Sequence, residues 1–199
     1  MKRMFDVIVA GLGLVVSAPL WAIFAAAIKL EDDGPVFFTQ ERVGRAGRPF
    51  MALKFRSMSP DAEAHTGAVQ AIADDPRVTK VGRLLRATAM DELPQLWNIF
   101  RGDMSFVGPR ALRPGEIERV GQQHVPLEAV PGYHVRITVR PGLTGIAQVY
   151  AARDVSRRHK FRYDRVYIEK RSMWLDLRLI LVSFWISFLG TWESRGRKY

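Results

Sequence analysis

The sequence predicts a mainly helical α+β chain: an N-terminal re-entrant membrane helix-break-helix, a small β-hairpin, and amphipathic helices lying in a membrane interface. Three observations predict it. Residues 7–28 form an uncharged run of 22 residues, VIVAGLGLVVSAPLWAIFAAAI, with Pro19 near its middle. Two strand-like stretches flank Gly44 and Gly47. Beyond them, apolar residues recur at helical spacing, as at Leu93, Leu96, Trp97 and Phe100. Residues 1–30 are expected to form the membrane hairpin, and 31–199 a single cytosolic region.

The first element is justified by length and charge. As a straight helix, residues 7–28 would measure about 33 Å, close to the thickness of a bilayer's hydrocarbon core. A signal peptide fits less well. Val16-Ser17-Ala18 resembles a cleavage site, but Pro19 would follow the cut and nine more apolar residues follow Pro19. A straight span also fits less well. Pro19 removes a helix hydrogen bond and bends the chain, and the Ser17 hydroxyl can satisfy a freed carbonyl in lipid. Lys2 and Arg3 precede the run and Lys29 follows it, so both flanks favour the cytoplasmic side. A bent hairpin meets that demand.

Gly34-Pro35 starts a turn, residues 36–40 read as a strand, and residues 50–55 read as its hairpin partner. Residues 59–76 are polar and small, which predicts a loop with a helical turn. Residues 79–86 form a basic helix-like stretch, 93–100 an apolar one, and 116–123 a further candidate helix. Residues 156–170 predict a helix dense in cations. The uncharged run 179–192 is 14 residues long, about 21 Å as helix and too short to span. Asp176, Ser183 and Ser187 fall near one face of it, and Trp174, Trp185 and Trp192 suit a water–lipid boundary. Residues 172–190 therefore read as an interfacial helix, with a buried core helix as the alternative. Arg195, Arg197 and Lys198 would rest against lipid headgroups.

Composition excludes several kinds of function. Cysteine is absent, so thiolate metal sites, iron–sulfur clusters and cysteine nucleophiles are excluded. His65, His124, His134 and His159 show no metal-ligand spacing, and Gly11-Leu12-Gly13 lacks the strand and third glycine of a dinucleotide fingerprint. The 30 Lys and Arg residues outnumber the 20 Asp and Glu residues, which favours an anionic partner: nucleic acid, lipid or a phosphorylated substrate. The cations are spread along the chain and no nucleic-acid recognition motif is present, so nucleic acid is not expected as a partner.

The densest candidate site lies in residues 86–110, RATAMDELPQLWNIFRGDMSFVGPR. Asp91 and Glu92 are adjacent carboxylates before an apolar helix. If Asp91 caps that helix, Pro94 falls where no intrahelical donor is needed. Helix N-termini also attract phosphate, and Arg86 lies close by in sequence, so Asp91 is placed to meet a phosphorylated substrate on a metal ion. Lys54 and Arg56 alternate with Phe55 and should share one strand face. Gly108-Pro109-Arg110 puts a guanidinium on a turn. The loop Arg140-Pro141-Gly142-Leu143-Thr144-Gly145 offers backbone N–H groups to an oxyanion.

These stretches resemble the monotopic phosphoglycosyl transferases, also called bacterial sugar transferases. The blocks that carry the resemblance, in order, are KRMFD (2–6), the apolar segment with Ser17 and Pro19, GPVFFTQERVG (34–44), LKFRSM (53–58) and DPRVTKVGRLLR (75–86). They continue with MDELPQLWN (90–98), GDMSFVGPR (102–110), RPGLTGIAQV (140–149) and YDRVYIEKRSMWLDLRLI (163–180). Ala18 separates Ser17 from Pro19 where the family usually has them adjacent, and Ala111 stands where it often has proline. The resemblance implies transfer of a phosphosugar from a nucleotide-diphosphate sugar, usually a UDP-sugar, to polyprenol phosphate, with release of UMP and the start of surface-glycan assembly. It implies Asp91 as nucleophile and metal contact, Glu92 as its assistant, and magnesium (Mg2+) as cofactor. Lys54, Arg56, Arg86, Arg110, Arg140 and Asp164 would bind substrate. It further implies a bacterial inner-membrane location at the cytoplasmic face, membrane lipid as partner, and a homodimer as a candidate assembly. A non-catalytic membrane scaffold is the rival reading.

Overall fold

The computed structural model describes residues 1–62, 75–120, 123–152 and 155–189. His65, most of the polar stretch 59–76, Trp192, Arg195, Arg197 and Lys198 lie outside the described residues.

Helix α1 (Lys2–Glu31) contains the apolar run and is by length and composition long enough to cross a membrane. It stays helical through Pro19, so the expected break is not registered as an interruption. Proline removes one donor, and α1 is braced against the rest of the fold on both sides of that point. Gly13 lies against Leu96, and Trp21 packs on Phe37 and Phe55. The Ser17 hydroxyl donates to the Leu14 carbonyl and accepts from Trp21 Nε1. Both helix ends are bonded to the same body. Arg3 donates to the carbonyls of Ile99 (2.6 Å) and Phe100 (2.7 Å), and Asp6 accepts from the Phe106 N–H. At the far end, Glu31 accepts from the N–H groups of Lys80 (2.6 Å) and Val81 (2.9 Å). The opposite face leaves Met4, Ile8, Leu12, Val15, Val16, Leu20, Ile23 and Leu30 exposed.

Strands β1 (Phe37–Val43) and β2 (Pro49–Phe55) form the expected antiparallel hairpin, with Phe38 opposite Lys54 and Arg42 opposite Phe50. Helix α2 (Lys80–Ala87) is capped by Thr79, whose hydroxyl accepts from the Gly82 N–H. A 3₁₀ turn, Met90–Glu92, leads into α3 (Gln95–Arg101). Strand β3 (Ser105–Val107) pairs in parallel with β6 (Gly142–Thr144). Between them lie β4 (Ile117–Val120), β5 (Gln123–Pro126) and the short α4 (Tyr133–Arg136). Strands β4 and β5 pair antiparallel, which corrects the helix expected at 116–123. Ile117, Val120 and Val125 are β-branched residues that favour a pleated surface, and Val125 packs on the cluster of Leu112, Leu127, Val130, Tyr133 and Phe161.

Helix α5 (Ile146–Tyr150) precedes α6 (Arg157–Lys170), which Ser156 caps, and α7 (Met173–Phe188), which Ser172 caps. The main core joins Ala10 of α1, Leu96 and Ile99 of α3, and Leu179 and Ile186 of α7. Asp176 and Ser183 of α7 face inward, whereas Arg178 is exposed. Asp176 accepts from Lys2 Nζ (2.5 Å) and the Tyr167 hydroxyl (2.8 Å), and Ser183 pairs with Thr144. Trp174, Leu181, Phe184, Trp185 and Phe188 point outward and are exposed. α7 is thus buried along one face, through Leu179 and Ile186, and exposes an apolar face on the other.

Candidate active site

The site forms where β2, the 3₁₀ turn at Met90–Glu92 and the turn after β3 converge. Asn98 aligns the first two. Its side-chain oxygen accepts from the Leu53 N–H (2.9 Å) and its amide donates to the Met51 carbonyl (2.8 Å). Lys54, one residue beyond Leu53, thereby brings its ammonium 2.5 Å from Glu92 Oε1. Arg110 reaches the same oxygen from the other side, at 2.7 Å.

The turn that carries Arg110 is held by close backbone contact. A Cβ on Gly142 would lie 2.0 Å from the Gly108 nitrogen, and one on Gly108 would lie 2.5 Å from the Arg140 oxygen. Only glycine permits that approach. Arg136 adds a second restraint, donating to the Arg110 carbonyl at 2.6 Å. Its guanidinium is buried on the Phe161 ring and pairs with buried Asp164 at 3.0 Å.

Asp91 is not the helix cap expected of it. Position Ala89 is left-handed (φ 56°), the turn Met90–Glu92 follows, and Pro94 stands at the start of α3. The missing N–H of Pro94 is harmless there. The left-handed alanine costs about 1 kcal/mol and turns the chain so that both carboxylates face β2.

The two carboxylates have different environments. Burial opposes ionisation of Glu92, but the charges of Arg110 and Lys54 and their hydrogen bonds outweigh it, holding its carboxyl well below the usual carboxylate range. Asp91 accepts no hydrogen bond and makes no ion pair among the described residues. Burial pushes its carboxyl up to about 6, with the Glu92 charge adding to that and Lys54, Arg86 and Arg110 opposing it. One carboxylate is locked between cations. The other is half-buried, unencumbered and ionised at neutral pH. Such a division can serve a fixed anchor beside an available nucleophile.

A shallow cleft adjoins Glu92, lined by Arg42, Lys54, Glu92, Gln95 and Arg110 among others. Of the residues expected to bind substrate, Lys54, Arg86 and Arg110 come to the carboxylates. Arg56, Arg140 and Asp164 do not. Arg56 follows the last residue of β2 and is buried in an ion pair with Asp32 and a hydrogen bond to the Pro35 carbonyl. Arg140 donates to the Gly102 carbonyl (2.8 Å) and lies near Arg3, Arg45 and Asp6. Asp164 is spent on Arg136. The expected oxyanion loop is largely strand β6, and its Gly142 N–H is donated to the Pro109 carbonyl. Sequence reading passed over Arg42. Its signal was the strand register: counting by two along β1 and across to β2 puts Arg42, Ala52 and Lys54 on one face.

No cluster of three or more His, Asp or Glu residues suited to a metal occurs among the described residues. A Mg2+ ion carried by a diphosphate needs only one or two protein carboxylates and takes its other ligands from phosphate and water. The Asp91 carboxylate, unpartnered among the described residues, fits that lesser demand.

The description "Bacterial sugar transferase" matches residues 1–190. The UDP-glucose:undecaprenyl-phosphate glucose-1-phosphate transferase of Klebsiella pneumoniae is 39% identical over 194 residues, covering 95% of this chain and 40% of that protein. The protein of the same name from Caulobacter vibrioides is 43% identical over 185 residues, covering 90% of this chain and 67% of its own. The exopolysaccharide production protein ExoY of Rhizobium meliloti is 37% identical over 193 residues, covering 90% of this chain and 81% of its own. The chain thus spans less than half of the Klebsiella protein and most of ExoY.

Proposed function

The chain belongs to the bacterial sugar transferase family, and from that premise we propose that it transfers a phosphosugar from a UDP-sugar to undecaprenyl phosphate, starting a surface polysaccharide. The observation that carries the reading is the unequal carboxylate pair: Glu92, in the wall of a cation-lined cleft, is clamped by Lys54 and Arg110, while the adjacent Asp91 is unpaired among the described residues.

The reaction runs in two displacements. An oxygen of Asp91 bonds to the sugar-linked phosphorus. The bond from that phosphorus to the bridging oxygen breaks, and the bridging oxygen leaves with its electron pair as part of UMP. Undecaprenyl phosphate then attacks the same phosphorus, and the Asp91 carboxylate departs. Lys54, Arg86 and Arg110 offset the charge that would keep an anion from attacking an anion. Glu92 holds Lys54 and Arg110 in register with Asp91. Mg2+, when bound at Asp91, supplies further charge neutralisation on the diphosphate.

The setting is a monotopic one at the cytoplasmic face of the inner membrane. The support is that both ends of α1 bond to one body while its outer face is apolar, so α1 enters and leaves from the same side. A bend of α1 at Pro19 in the membrane belongs to the same proposal. There the site meets a soluble donor and a lipid acceptor at once.

The test is UMP release across a panel of UDP-sugars with undecaprenyl phosphate, followed by mass spectrometry after incubation with donor alone. UMP release with a phosphosugar adduct on Asp91 is the expected outcome. No release from any donor would favour the scaffold reading. Release without an adduct on Asp91 or Glu92, in kinetics that require both substrates bound, would replace the two steps with direct transfer.

A further inference from the structure

Arg42 is the cation in the cleft that the reaction above does not use. Its guanidinium donates to the Ala111 carbonyl (3.2 Å) and to the Gln40 side chain. A guanidinium has five N–H donors, and Arg42 makes no ion pair with a carboxylate among the described residues. Like charges crowd it. Arg110 and Arg113 act on it unfavourably, while Glu92 and Glu116 act in its favour from beyond ion-pair contact. Lys54 and Arg110 share one counter-ion, Glu92, whereas Arg42 has none of its own. The cleft wall therefore carries three cations, Arg42, Lys54 and Arg110, against the one carboxylate of Glu92. A half-buried surplus of positive charge of this kind is the environment an oxyanion stabilises.

The order of charges gives the subsite a direction. Arg42 donates to the carbonyl of Ala111, the residue after Arg110. Arg110 in turn pairs with Glu92, the residue after Asp91. Arg110 and Glu92 therefore link Asp91 to Arg42. Displacement at phosphorus is in line: the nucleophile enters opposite the group that leaves. A phosphoryl group attacked by Asp91 and held at Arg110 would direct its leaving oxygen toward Arg42.

We propose that Arg42, with Arg110, forms a phosphate-binding position for the leaving half of the donor, the nucleoside monophosphate, on the side of the cleft away from Asp91. The inference rests on the transferase reading for its substrate, and on the cleft's own geometry for its anion. Arg42 holds the nucleotide phosphate as negative charge builds on the bridging oxygen.

The experiment uses the full chain in detergent with Arg42→Gln and Arg42→Lys. Binding of UMP and of inorganic diphosphate is measured by calorimetry, alongside KM for donor, KM for undecaprenyl phosphate, product inhibition by UMP, and thermal midpoint. Loss of a charge-assisted hydrogen bond corresponds to a roughly tenfold or greater loss of affinity. Arg42→Gln should weaken UMP binding and inhibition, and raise donor KM, by about that factor. Acceptor KM should stay within about twofold of the parent and the midpoint should not move, with partial recovery in Arg42→Lys. Unchanged UMP affinity and donor KM would overturn the proposal. A rise confined to acceptor KM would assign Arg42 to the acceptor phosphate and overturn it equally. If the parent chain released no UMP yet bound UMP in an Arg42-dependent way, the anion position would stand and the transferase reading would fall. Binding of neither anion by the parent would overturn the subsite whatever the turnover.

Discussion

Replacing Asp91 by asparagine should stabilise the fold while abolishing its chemistry. In the unfolded chain Asp91 ionises near 3.8; in the folded chain burial beside Glu92 raises this to about 6. Between those values the folded state keeps a proton that the unfolded state releases. The resulting loss of stability grows as pH rises from about 4 to 6 and is fully present above 6. The displacement is equivalent to about 3 kcal/mol as a ceiling. Asp91 is only half-buried, and screening reduces the expected gain to about 1–2 kcal/mol. For a chain of this size that raises Tm by roughly 2–8 °C. The assay is thermal unfolding of parent and Asp91→Asn in detergent at pH 7.5 and near pH 4. The variant should melt higher at pH 7.5, and the gap should close near pH 4 as the parent carboxyl takes up its proton. Glu92→Gln is the opposing control. Its carboxyl is held below the usual range, so removal of that charge should destabilise at neutral pH, the loss shrinking in acid. Equal midpoints for parent and Asp91→Asn at pH 7.5, or a gap independent of pH, would refute the assignment of Asp91 as an unsupported, desolvated carboxylate. A lower midpoint would show that it supports the fold.

Turnover should fall below about pH 6 with unit slope as Asp91 protonates; Lys54→Met should move that limb upward in a pH–rate profile, because the Lys54 charge favours the ionised form. Asp164→Asn should lower kcat several-fold more than it raises donor KM, since Asp164 acts through Arg136 on the Arg110 turn; equal activity to the parent in steady-state kinetics would count against that linkage. Arg56→Ala should cost about 2–3 kcal/mol of stability, measured by denaturant unfolding, yet leave donor KM unchanged, because Arg56 pairs with Asp32 and not with the site. Cysteines placed at positions 1 and 33 should both resist an impermeant thiol reagent added outside intact cells; labelling of only one would make α1 a true span.

Much of this architecture was legible because it is local. Strand-like stretches on either side of Gly44 and Gly47 identified the hairpin. Helices were expected at 79–86 and 156–170, and each begins at a local cap, the hydroxyl of Thr79 or Ser156 serving an N–H only three residues away. The adjacent pair Asp91 and Glu92 stood out before an apolar helical stretch. Where composition favoured one element and strand pairing decided for another, the reading went astray. Residues 116–123 have a helix-like composition, and only pairing with β5 makes a strand of residues within them. Strands β3 and β6 are three residues each and parallel, too short for a periodic signal.

By itself the sequence determined the ingredients of this protein: a membrane-length apolar helix, a hairpin, a chain rich in cations, and two neighbouring carboxylates. Only the tertiary structure decided which cations meet them. Lys54 and Arg56 are two residues apart, yet one reaches Glu92 and the other is consumed by Asp32. Arg110 joins the site from 18 residues away and Lys54 from 38, whereas Arg140 turns aside to Gly102. With 30 Lys and Arg residues available to 20 carboxylates, composition permits very many pairings. Coulomb attraction falls with distance and is strengthened by burial, so the pairings that count are chosen by the packing that brings charges together out of water. The same packing left Asp91 without a partner among the described residues, and that difference from Glu92 appears nowhere in the order of residues.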